Sequence, residues 1–185
     1  VMFYMLVNLV PVFENDGRNM VRLFTMSDDQ IRAVDAAVSS LSDLSVAIAD
    51  PASTPLRPQR DRVLEYLRTP GLTPAQRAEA LNNLAVIDVL LEDPELFAEA
   101  DEASREAYEL MPDNPALKNT RASVLILNGD YSDGIKLMRP TMSRIPAEAL
   151  TESHLDLAFA HVKLGHPYEG RDHLHAVGGR HARPG

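Results

Sequence analysis

The chain has 185 residues, is 45% apolar, and carries only 5% aromatic residues with no tryptophan. Its abundant alanine and leucine favour close-packed helices over β-sandwich layers, and the length allows one domain or a small domain with an appendage. A formal net charge of −9 excludes a general nucleic-acid binder, which needs a basic surface to displace counterions from phosphates, and the absence of cysteine excludes disulfides and thiolate zinc sites.

Residues 1–26 open the chain. The thirteen residues before Glu14 (VMFYMLVNLVPVF) carry no charge. They lack the basic start and small-residue cleavage pattern of a signal peptide. They cover about two-thirds of the roughly 20 residues that span a bilayer as a helix, so they read as the end of a spanning segment that starts before Val1. Asp16 follows beside Gly17, and Arg18 and Arg22 come next, the sign expected at a cytoplasmic exit. A carboxylate against a membrane-grade segment is a functional candidate, because desolvating it is costly. The plainer reading is a buried strand or helix that ends in an Asn-Asp-Gly turn.

Residues 27–72 read as a helical connector. Ser27 or Asp28 caps a helix whose apolar positions (Ile31, Val34, Val38, Leu41, Leu44, Ile48) follow the 3.6-residue period. Pro51, Pro55 and Pro58 mark residues 50–60 as a linker, with a short helix over 60–68 closed by Thr69-Pro70-Gly71. Thr73-Pro74-Ala75-Gln76 then gives a capping-box spacing with proline at the first helical position, opening a helix to about Glu92. From Glu92 to Glu109 eight acidic residues face only Arg105. Such a run reads as a solvated helix face, with a surface for a basic partner as the alternative.

An internal repeat runs through 73–177. Pro112 and Pro146 lie 34 residues apart, and the frame Ala122, Gly129, Gly134 recurs as Ala158, Gly165, Gly170. The preceding unit offers Ala85, Ala100, Ala107 and Pro112. Small residues let two helices approach closely, while Gly129-Asp130 and Gly165-His166 close the turns. Period and frame resemble the tetratricopeptide repeat, although the large aromatic early in each unit is absent and Lys118 stands in that place. The resemblance implies an all-α stack of helical hairpins with a groove for a protein or peptide partner. Residues 178–185 read as a disordered, mildly basic tail.

Asn8, Pro11, Asp16 and Gly17 form N-x-x-P-x-x-x-x-D-G. This resembles the second signature of the site-2 protease family of intramembrane zinc metalloproteases. The resemblance implies that Asp16 is the third zinc ligand, with Asn8, Pro11 and Gly17 shaping the backbone around it. Arg18 stands where the family often has a second glycine. The family's H-E-x-x-H, which supplies two histidine ligands and the base, occurs nowhere in the 185 residues. No catalytic residue is therefore expected in this chain, which is inactive alone, and the missing histidines are expected upstream. The full expectation is the C-terminal part of a membrane protease. Residues 1–17 lie in the membrane, 27–185 in the cytoplasm, zinc is bound in the intact protein, and no nucleic acid is bound. The alternative is a soluble, non-enzymatic repeat scaffold. His154 and His161 share a helix face, with His166, His173, His175, Asp156 and Asp172 nearby in sequence, but they read as solvent-facing or repeat-packing positions rather than a metal site. The serines of 39–45 lack the Gly-x-Ser-x-Gly turn of a nucleophile.

Overall fold

Proline and short polar side chains set where the helices begin. The computed structural model describes residues 55–145 and 147–181. Asn8, Pro11, Asp16, Gly17, the exit arginines and the helix expected after Ser27 lie outside the described residues. Seven α-helices and no strand occur among the described residues, which makes this part all-α. They are α1 (Leu56–Leu67), α2 (Pro74–Leu90), α3 (Phe97–Leu110), α4 (Pro115–Leu127), α5 (Tyr131–Met138), α6 (Ala147–Lys163) and α7 (Pro167–His181). Short 3₁₀ turns at Pro94–Leu96 and Arg139–Thr141 precede α3 and follow α5.

The capping box at α2 forms as its spacing predicts: Gln76 N donates to Thr73 Oγ1 at 3.2 Å, and Thr73 N donates to Gln76 Oε1 at 2.9 Å. At α4, Asn114 Oδ1 accepts from Ala116 N at 2.9 Å. Helix α1 starts at Leu56, four residues before the expected boundary, so 56–60 are helical rather than linker. Pro58 sits in the first turn, where its missing N–H is one that no carbonyl would have accepted. At the other end, α7 continues to His181, into the stretch read as tail.

Two hairpins turn in the same way. Gly129 (φ 93°) and Gly165 (φ 82°) take the left-handed conformation after α4 and α6. Asp130 N then donates to Leu125 O, and His166 N to His161 O, both at 2.9 Å, the outer bond of a Schellman cap. The next helix crosses closely. A Cβ at Gly134 would lie 2.9 Å from the Ala122 carbonyl oxygen, and one at Gly170 would lie 2.9 Å from that of Ala158. These four positions are 36 residues apart in pairs, so the frame read from the sequence is a structural repeat.

Helices α2/α3, α4/α5 and α6/α7 are the most closely packed pairs, with α1 against α2. Helix α4 also touches both α2 and α6, whereas α3, α5 and α7 make no comparable contact with one another. The α2, α4, α6 row is therefore the inner, tighter side of the stack, and α3, α5, α7 form the outer side. Apolar burial is divided along the stack. Val63, Leu84, Ile87, Ala103 and Ala107 pack under α1–α3, and Ala122, Ile126, Met138, Leu157 and Ala160 under α4–α6. No helix among the described residues is long and apolar enough to cross a membrane.

Candidate functional site

The three inner helices enclose a cavity of about 90 Å³. Ala85, Val86 and Val89 of α2 and Val124 and Leu127 of α4 give it apolar walls, while Asn119, Thr120 and Ser123 of α4 and Glu152 and Asp156 of α6 add polar groups. Asn119 fixes one side. Its Oδ1 lies 3.1 Å from the Thr141 hydroxyl and 3.2 Å from the Ser153 hydroxyl, tying α4 to the turn after α5 and to α6. Each hydroxyl also reaches a backbone carbonyl, Thr141 to Met138 at 2.7 Å and Ser153 to Ala149 at 3.0 Å. This holds the cavity wall in one geometry.

Asp156 is the unusual member. Ser123 Oγ donates to its Oδ2 at 2.6 Å, bridging α4 and α6. Burial pushes its carboxyl up to about 6, against the pull of that hydrogen bond. Near neutrality the group is ionised, at a cost to folding on the order of 3 kcal/mol relative to an ordinary aspartate.

Several other carboxylates in the stack pair with arginine, whereas burial alone raises the half-buried Glu79 of α2. The acidic run of 92–109 is not faced by Arg105 alone, as the sequence suggested. Arg57 reaches Asp93 at 2.9 Å, Arg77 reaches Glu106 at 2.6 Å, Arg121 reaches Asp101 at 2.7 Å, and Arg60 pairs with Glu99. Arg60 also donates from Nε to the fully buried Asp88 at 2.6 Å, clamping α1 onto α2. These partners come from 20 to 39 residues away, which hid them from a local reading. Among the described residues no cation pairs with Asp156.

The histidines gather between α6 and α7. His154 Nδ1 lies 2.9 Å from His173 Nδ1, His161 stacks on His173 at 5.6 Å between centroids, and His166 lies 6.1 Å from His161. His161 is buried rather than solvent-facing, 3.3 Å through Nε2 from Arg139 Nη2, while His166 and His175 are exposed. Burial lowers His161, with Arg139 adding to it, and burial lowers His173, with His161 adding to it. Asp156 faces the inner cavity instead of joining them. Among the described residues no three metal-ligating side chains converge. The zinc-ligand candidate Asp16 lies outside the described residues.

The sequence marked the helices that build the cavity but not the cavity itself. The available signal was Asp156 set between Leu155 and Leu157 in an apolar helix, 33 residues after Ser123, close to one repeat length. Comparison of this chain with models of known families, with curated proteins and with solved structures finds no match.

Proposed function

We propose that residues 73–177 are a peptide-docking module of the tetratricopeptide-repeat type, taking a segment of a partner protein along the inner face of α2, α4 and α6. The observation that carries this reading is the apolar-walled cavity shared by those three helices. Stacked helical hairpins make extended inner surfaces of this kind, and their ligands are peptides laid across successive repeats. At about 90 Å³ the cavity holds one side chain, well short of the roughly 300 Å³ or more that a drug-sized ligand occupies.

The test is a library of random twelve-residue peptides displayed on phage and selected on the full chain. A double variant, Val89→Arg with Leu127→Arg, serves as the comparison. Leu127 is 52% exposed and Val89 half-buried, so arginines there obstruct the groove without entering the core. Peptides should lose binding to the double variant. A selection yielding only peptides that bind both proteins alike would place docking elsewhere and sink the reading.

A second reading concerns the intact protein and rests on Asn8, Pro11, Asp16 and Gly17. Their resemblance to the site-2 protease signature supports a zinc metalloprotease that carries the helical module on the cytoplasmic side, with residues 1–17 in the membrane and Asp16 as third ligand. The zinc would acidify a water molecule and polarise the scissile carbonyl. In the intact protein, Asp16→Ala should abolish substrate cleavage and lower bound zinc while helical content is kept, and cleavage that persists rules out the ligand role. An upstream sequence with no apolar H-E-x-x-H helix leaves the module as a scaffold without enzymatic activity.

A further inference from the structure

A desolvated carboxylate without a cation is a poor structural element. Four other carboxylates bonded across helices hold an arginine: Asp88 and Glu99 share Arg60, Asp101 has Arg121, and Glu106 has Arg77. Asp156 has the Ser123 hydroxyl, a neutral donor that occupies one of about four acceptor positions on a carboxylate. Among the described residues no lysine, arginine or histidine lines the cavity, and Glu152 is the other ionisable group in its wall. The charge is thus half-buried in the groove wall at a place where no cation of the described helices neutralises it. Perturbed groups of this kind, set in a cleft, are where function is expected.

We propose that the groove recognises a peptide bearing a lysine or arginine, whose charged head docks on Asp156 and whose methylene stem lies along Val86, Val89 and Val124. The inference rests on the docking reading above and names its ligand class. The cavity has room for one long side chain, and its valine walls suit an aliphatic stem with the charge at its end. The formal charge of −9 adds attraction for basic segments before contact. The arriving cation takes the place that arginine fills at the other carboxylates. Because it favours the ionised form of a group that otherwise titrates near 6, affinity should rise about tenfold between pH 5 and pH 7.

The twelve-residue library supplies the probe. Peptides that the Val89→Arg, Leu127→Arg double variant fails to bind should carry lysine or arginine at one fixed position. The most enriched sequence is then synthesised, together with a version carrying glutamine at that position. Against the full chain the glutamine version should bind at least tenfold more weakly, and Asp156→Asn should weaken the basic peptide by a similar factor. Combining both changes should add little, and the pH dependence should vanish. Asparagine keeps the shape of the side chain and a partner for Ser123, and circular dichroism checks the fold. The peptide-side change and the pH profile need no protein variant. Groove-dependent peptides with no fixed basic residue, or an Asp156→Asn protein that binds as tightly as the parent, overturn this inference and leave the docking reading standing. Absence of any groove-dependent peptide overturns both.

Discussion

At Asp156 burial and ionisation oppose each other, and the pH dependence follows from the direction of the shift. The folded carboxyl holds its proton up to about 6, whereas an unfolded aspartate releases it near 3.9. Folding therefore favours the protonated form. Its full stability is present below about pH 4 and is lost as pH rises to about 6, above which the ionised group costs on the order of 3 kcal/mol. Asp156→Asn removes the charge and keeps a partner for Ser123. Thermal melts should show the variant several degrees more stable at pH 7.5 and nearly equal to the parent at pH 4. Equal melting temperatures at both pH values would mean that the carboxyl is not desolvated by α4 and α6. A residue that lowers stability while lining a groove fits the general trade between function and stability.

Within the hairpins, packing at Gly134 and Gly170 decides a sign. In an ordinary helix interior, glycine to alanine stabilises by about 1 kcal/mol. At Gly134 the new methyl would meet the Ala122 carbonyl oxygen at 2.9 Å, and that backbone belongs to the facing helix. Gly134→Ala should instead lose about 1–3 kcal/mol in urea unfolding, and a gain would show that α4 and α5 do not cross so closely. The α6/α7 hairpin carries its own acid response. His161 and His173 are held below the ordinary histidine value, so their neutral forms favour folding. That contribution is intact above about pH 6.5 and lost as pH falls below it. Arg139, His154 and His166 face the pair as further cations or potential cations, and Glu169 and Asp172 oppose them. Hydrogen exchange, corrected for its intrinsic rate, should show α7 losing protection between pH 7.5 and 5.5 while α2 keeps it. His173→Gln should reduce the difference, and equal behaviour of the two helices would contradict it.

Across the molecule, what was legible was local. The Thr73 capping box, the two glycine turns and the 36-residue frame of small residues each depend on neighbours in sequence, and all were readable. The start of α1 was misplaced because Pro58 breaks a helix interior yet fits a first turn. The arginine clamps, the histidine cluster and the Ser123–Asp156 bridge depend on how each helix is rotated against the next, which periodicity in one sequence does not fix. The candidate zinc ligand was legible only through resemblance. The uneven contact between the two rows of helices has a mechanical consequence. Touching inner helices limit how far the stack can curl inward, and an outer row without comparable mutual contact offers little resistance to bending the other way. Tension along the chain would straighten the stack by parting α2, α4 and α6, so the groove should widen first and its peptide should leave before any hairpin unfolds. Force-extension traces of the full chain should then show a low-force step that shifts upward with bound peptide; a peptide-independent trace would mean that pulling and docking act on separate parts of the stack.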